Sequence, residues 1–270
     1  MGIYRTIHPI RLGSHLMAAC LAAGSSAAAE LKKETIDAFG GYLRAVEARV
    51  AEHTRPGGAF LWSGLSPDRL ARVRGGDIAV EASRGKAERE IPGGLIHDWI
   101  GGAFIPGATL EATLAFVKNY DNHKNVYKPE VIESRILYHN GDHYKIHLRL
   151  MKKKVITAVL NTEHEVRYFP LDARRCHSRS YTTRIAEVED AGEPGEREMP
   201  VGDDHGFLWR LYSYWRFEER DGGVYIECEA ISLTRKVPTG LGWLITPIIR
   251  ELPKESLANT LRQTRDALAR

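Results

Sequence analysis

The sequence predicts an α+β domain in which one curved, seven-stranded antiparallel sheet wraps around a long C-terminal helix, with an extra N-terminal helical segment. Three observations predict it. Strand-like stretches of alternating apolar and polar residues follow one another from residue 93 to residue 235, separated by turn signals such as Asn140-Gly141. Long helical periodicity occurs only at the two ends of the chain. An antiparallel sheet carries one apolar face that needs a cover, and the closing helix supplies one.

In chain order, "KKETIDAFGGYLRAVEARVAEH" spaces Ile36, Phe39, Leu43, Val46 and Val50 by threes and fours, predicting a helix from Lys32 to His53. "AFLW" reads as a short strand. "SPDRLARV" starts a helix with Ser66 as cap and Pro67 in the first turn. "GDIAVEAS" is a further short strand or extended segment, and "RGKAEREIPGG" is a surface connector. The regular part opens at "GGLIHDWIGGAFIPG", an extended apolar segment, followed by a helical pair through "ATLEATLAFVKNYDNHKNVYKP". Six strands complete the sheet. "EVIESRILYHNGDHYKIHLRL" is a hairpin around Asn140-Gly141, the dipeptide suited to a type I′ turn. "VITAVLNTEHEVRYF" and "RRCHSRSYTTRIAEVED" supply the next two strands, and "FLWRLYSYWRFEERDGGVYIECEAISLTR" turns at Asp221-Gly222-Gly223. The tail places Leu241, Leu244, Ile245, Ile248, Leu252, Leu257, Leu261 and Leu268 on a helical stripe. Pro247 and Pro253 each remove a backbone donor, so the helix is expected in two parts, Leu241 to Leu252 near a cavity mouth and Lys254 to Ala269 packed. Its apolar run is far short of the roughly 20 residues that span a bilayer.

Residues 1–29 differ from the rest. Arg5 and Arg11 precede the apolar "LGSHLMAACLAA" and the small-residue run "GSSAAAE", the pattern of a secretory signal peptide with cleavage after Ala29. "LMAAC" leaves a second option, acylation of Cys20 and a lipid anchor with peripheral membrane contact. Export, to a periplasm or the outside, is expected either way. Residues 30–92 then form an extension packed on the domain of residues 93–270, and the protein is expected to be a monomer. Removing the leader takes two Arg and no acid, so Lys+Arg falls from 38 to 36 against 35 Asp+Glu. That near-neutral balance excludes the clustered basic excess that nucleic-acid binding needs. Lys152-Lys153-Lys154 reads as a solvated hairpin tip. Cys176 and Cys228 fall on non-adjacent strands, beyond the roughly 7 Å a disulfide can span, and are expected as buried free thiols.

"IHDWIGGAFIPGATLEATLAFVKNYDNHKNVY" and "DGGVYIECEAISLTRKVP" leading into the last helix resemble the START-like, or SRPBCC, superfamily over about residues 93 to 269. The superfamily comprises lipid-transfer domains, plant allergen-like carriers, and polyketide cyclases and aromatases. The resemblance implies a helix-grip fold with a cavity between sheet and last helix, usually holding an apolar small molecule. The cavity candidates are His97, Trp99, Tyr144, His164, Tyr168, Ser180, Trp215 and Trp243.

The remaining chemistry is sparse. His139, His143 and His147 are spaced for a helical metal face, but Asn-Gly makes the segment a hairpin and turns the last two to solvent. His97 and Asp98 are adjacent in a strand and point to opposite faces, so they are no dyad. His164 continues an apolar row and reads as a core residue, a ligand-orienting group or a weak general base. The Ser178, Ser180 and Thr182 face could point in or out, with outward preferred, and Glu227 and Glu229 read as exposed because Val224, Ile226, Cys228 and Ala230 make the better buried face. No metal site, cofactor fingerprint or catalytic residue is assigned. A binding or transport module for a lipid, sterol-like or aromatic molecule is the leading expectation, ahead of a cyclase- or aromatase-like enzyme and a ligand-free interaction domain.

Overall fold

The computed structural model describes residues 29–153, 157–236 and 242–269, with side chains except at Ala29 and residues 242–251. The leader, Cys20, Lys154 and Ile156 therefore lie outside the described residues, as do the side chains of Leu244, Ile245 and Ile248.

The elements are β1 (Ala29–Glu30), α1 (Lys33–His53), a 3-10 turn at Ser63–Leu65, α2 (Pro67–Arg74), β2 (Ala79–Ala82), β3 (Glu88–Ile91), β4 (Gly94–Pro106) and α3 (Leu110–Lys118). A 3-10 turn at Tyr120–Asn122, α4 (His123–Val126), β5 (Val131–Asn140), β6 (His143–Lys153), β7 (Thr157–Asp172) and β8 (Arg175–Glu189) follow. The chain continues through β9 (Arg197–Glu198), β10 (Asp203–Asp204), β11 (Arg210–Arg220), β12 (Gly223–Arg235) and α5 (Gly242–Leu268). The main sheet runs β2-β4-β12-β11-β8-β7-β6-β5, with β3 beside β4 and β9 beside β8. Strands joined in sequence pair in sequence, while β4 returns to pair antiparallel with β12 along its whole length, from Gly94↔Arg235 to Pro106↔Gly223. The first long strand beside the last, with a terminal helix against the concave face, is the helix-grip arrangement. The sheet is larger than the seven strands expected, because β2, β3 and β9 add to its flanks.

Local chemistry explains the turns. Gly141 has φ +57° and Asp142 a negative φ, so the β5–β6 loop is Gly141-Asp142, a pattern that fits type II′ rather than type I′. Between β11 and β12, Asp221 and Gly222 both take positive φ, as a type I′ turn requires. Ser66 caps α2 by accepting a hydrogen bond from the Arg69 N–H at 3.3 Å.

On the concave side Leu257 and Leu261 of α5 pack against Ala103, Ile105, Ile226 and Phe217. Gly101 permits that approach: a Cβ there would lie 2.8 Å from both Leu261 Cδ1 and the Ala79 carbonyl oxygen. The helix assignment runs unbroken through Pro247 and Pro253, correcting the expected two-part helix. A proline removes one donor, and the flanking ladder carries the helix across.

The convex side is covered too. Phe39, Leu43 and Val46 of α1 pack on Ile96, Tyr214, Ile231 and Leu233. Phe60, Leu61 and Trp62 pack with Ile100, Phe104 and Tyr225. "AFLW" is thus a buried loop and not a strand, its backbone satisfied by a carboxylate: Trp62 and Ser63 donate N–H bonds of 2.7 and 2.8 Å to Glu227. "EREI", placed in a connector, is strand β3. The same covering overturns the expectation that Glu227 and Glu229 are exposed. Both are 1% exposed, on the face opposite Val224, Ile226 and Cys228, with Arg216 between them and Arg49 paired to Glu229. Both faces of β12 are buried, so alternation could not tell inside from outside.

Candidate functional site

Alternation along five strands sends one set of side chains into the hollow under α5. β6 contributes Ile146, Leu148 and Leu150, and β7 contributes Leu160, His164, Val166 and Tyr168. Ser178 and Ser180 come from β8, Leu211, Ser213, Trp215 and Phe217 from β11, and Cys228, Ala230 and Ser232 from β12. Val117, Tyr120, His123 and Tyr127 close one side, while Leu252, Leu257 and Thr260 of α5 form the roof. The cavity measures about 360 Å³, within the usual few-hundred-Å³ range of small-molecule sites. Its walls are mainly apolar.

Of the expected cavity residues, the structure brings together His164, Tyr168, Ser180 and Trp215. His97, Trp99 and Tyr144 are not on the wall. His97 is fully buried against the Thr234 hydroxyl, 3.2 Å away. Trp99 packs beside the inner core with Lys254 over its ring. Tyr144 is core, stacked on His139. Trp243 is in the first turn of α5, and its side chain lies outside the described residues. The Ser face of β8 points inward, contrary to the preferred reading, because Ser178 pairs with Trp215 and Ser180 with Ser213 on the concave side. His147 does occupy the face opposite Tyr144, but it is only 8% exposed, lying across from Arg135 and Glu163. His143 pairs with Glu165 at 3.1 Å.

Sequence reading missed the Tyr120, His123 and Tyr127 side of the cavity. The aromatic spacing in "YDNHKNVY" was the available signal. It also missed Lys152, which is drawn from the hairpin tip to the cavity rim, where it pairs with Glu130 and bonds Ser256 Oγ at 2.6 Å. Asn259 donates to the same Glu130 at 3.1 Å, tying α5 to the entry of β5. Among the described lining residues, Lys152 and Glu130 are the only Lys, Arg, Asp or Glu, and they neutralise each other.

The polar groups inside have defined states. Tyr120 and Tyr168 share a hydroxyl hydrogen bond of 2.8 Å, and burial pushes both phenols well above their ordinary range. Tyr127 bonds Thr264 Oγ1 at 3.0 Å, and burial pushes it up to about 12. Burial lowers His123 and His164 to about 4, so both imidazoles are neutral at pH 7. His123 Nε2 donates to the Val117 carbonyl at 3.0 Å. Cys228, on the wall, and Cys176 are buried free thiols, separated by β11.

Neither family models nor curated proteins match this chain. Solved structures do. A STAR-related lipid transfer protein from Xanthomonas axonopodis aligns at 13% identity and TM-score 0.46, over 73% of this chain and 99% of that one. The Zhui aromatase/cyclase from Streptomyces sp. R1128 aligns at 11% and 0.42, over 64% and 93%. A START superfamily protein from Mycobacterium smegmatis aligns at 11% and 0.41, over 64% and 96%. The fold is START-like. The strand order and the gripped helix define this architecture, and the architecture by itself assigns no activity.

No helix among the described residues is long and apolar enough to cross a membrane.

Proposed function

We propose that this chain is an exported binding or transport module that holds a hydrophobic small molecule between its sheet and α5. The observation that carries the reading is the cavity itself: about 360 Å³, walled chiefly by Leu, Ile, Val and aromatic side chains, with the Lys152–Glu130 pair at the rim. The interior titratable groups favour holding over chemistry. A histidine near 4 and phenols far above neutrality are poorly matched to proton transfer at pH 7.

Export rests on the composition of residues 1–29. Mass analysis of the mature N-terminus decides it: a start at Glu30 supports a cleaved leader, an acylated Cys20 a lipid anchor, and an intact Met1 removes the proposal.

The binding reading is tested by filling the cavity. Ser180→Trp puts an indole on the cavity floor between Val166 and Ser213. The full chain should bind the neutral solvatochromic dye Nile red with a blue-shifted, brightened emission. The variant should lose at least about tenfold in affinity, or about 1.4 kcal/mol, while keeping its far-UV circular dichroism. Equal dye binding by a folded Ser180→Trp protein would remove the cavity as the site.

A further inference from the structure

The inward polar groups specify more than an apolar occupant. His164 stands on the cavity wall beside a register shift between Glu163 and His164. Its Nε2 lies 2.9 Å from Thr162 Oγ1, and that same hydroxyl lies 3.0 Å from the Leu148 carbonyl oxygen. A hydroxyl has one proton and a carbonyl can only accept. Both contacts are satisfied in one way: Thr162 donates to Leu148 and accepts from an Nε2–H of His164. A neutral imidazole protonated at Nε2 carries a lone pair at Nδ1. No described residue bonds Nδ1, so the fold holds a fixed hydrogen-bond acceptor on the cavity wall.

The surroundings of that acceptor are hydroxylic and uncharged. Ser180 lies diagonally across from His164, since Val166 faces Ser180 and His164 faces Thr182. Diagonal neighbours are about 7 Å apart, a gap that one ligand hydroxyl can bridge. Ser178, Ser213 and Ser232 continue the seam across the sheet, and these four serines make no side-chain hydrogen bond among the described residues. The neighbouring hydroxyls are otherwise engaged: Thr182 accepts from the Leu211 N–H, and Tyr168 bonds Tyr120. Among the described residues a ligand carboxylate reaching this floor would meet a lone pair with no free cation beside it, because Lys152 is paired with Glu130.

We infer that the cavity selects a neutral, largely apolar molecule bearing a hydroxyl group, whose O–H donates to His164 Nδ1 and whose oxygen accepts from Ser180. This deepens the binding reading above and rests on it. Thr162 acts through His164 as a positioning residue, holding the tautomer.

The test is displacement of Nile red from the full chain by an n-alkanol, its methyl ether and the carboxylate of the same chain length. The alkanol should compete about tenfold better than the ether, which cannot donate and leaves Nδ1 unpaired. The carboxylate should be the weakest of the three at pH 7. In His164→Phe the alkanol-to-ether ratio should fall to about one. In Thr162→Val the ratio should shrink, and ¹⁵N resonances of the imidazole should change from a single Nε2–H tautomer to a mixture. If dye and competitors all fail to bind, the binding reading falls and this one with it. If they bind but the ether or carboxylate matches the alkanol, the hydroxyl assignment alone is overturned. A wild-type imidazole protonated at Nδ1 overturns it equally.

Discussion

Arg216→Met is expected to destabilise the fold by about 3–5 kcal/mol, the cost of leaving a buried ion without its partner. Arg216 is 2% exposed, with its guanidinium 3.5 Å from Glu227 and 3.8 Å from Glu229. These contacts are longer than hydrogen bonds, and Nε and one terminal nitrogen have no hydrogen-bond partner, so charge more than geometry holds Arg216 in place. After the substitution Glu227 keeps only the Trp62 and Ser63 N–H groups, and Glu229 keeps Arg49 and the Ser83 hydroxyl. Urea unfolding followed by tryptophan fluorescence reads the loss. A double variant with Glu227→Gln should recover part of it, because the second change removes the orphaned charge. A loss below about 1 kcal/mol would show that the cluster is solvated and that the N-terminal extension does not seal it.

Raising the pH from 4 to 7 should weaken the protein by roughly 3 kcal/mol as the Asp98–Glu229 pair begins to release the proton it holds. Burial, followed by the charge of Glu229, lifts Asp98 to about 7, against the opposing effects of the Tyr42 hydrogen bond and Arg49. An unfolded aspartate titrates near 4. Between those values the folded chain holds a proton that the unfolded chain has released, so stability is fully present below about pH 4 and is lost as pH rises through 7. The geometry explains the retained proton. Tyr42 donates to Asp98 Oδ2 at 2.5 Å, while Asp98 Oδ1 and Glu229 Oε2 are both buried without a hydrogen-bond partner. A proton held on Asp98 relieves its repulsion with the Glu229 carboxylate. Asp98→Asn should flatten the stability profile between pH 4 and 7, measured as Tm at constant ionic strength. An unchanged slope in that variant would place the titration elsewhere.

The pH effect and the ion cluster share an origin that was not legible in the sequence. Asp98, Glu227 and Glu229 lie on the convex face of β4 and β12, and Tyr42 and Arg49 reach them from α1, more than 45 residues before Asp98. Period-two alternation shows that Glu227 and Glu229 share a face. Whether that face meets water depends on where a distant helix docks. The cavity has the same division. Inward Ile146, Leu148, Val166 and Trp215 were readable as one face of their strands, since apolar residues at every second position need a dry side. Ser178 and Ser180 were ambiguous, because polar residues tolerate either side. Only pairing with Ser213 and Trp215 turned them inward.

By itself, then, the sequence determined the kinds and order of the main elements. Its hairpin dipeptides, its alternating strands and its two terminal helical stripes are local signals, carried by backbone preference and side-chain spacing. Tertiary structure decided what those signals leave open: the burial of three carboxylates, the inward serine seam and the recruitment of Lys152 to the cavity rim. Each depends on a partner far away in the chain or across a strand, and desolvation by that partner sets the charge and hydrogen-bonding state that the residue type alone leaves free.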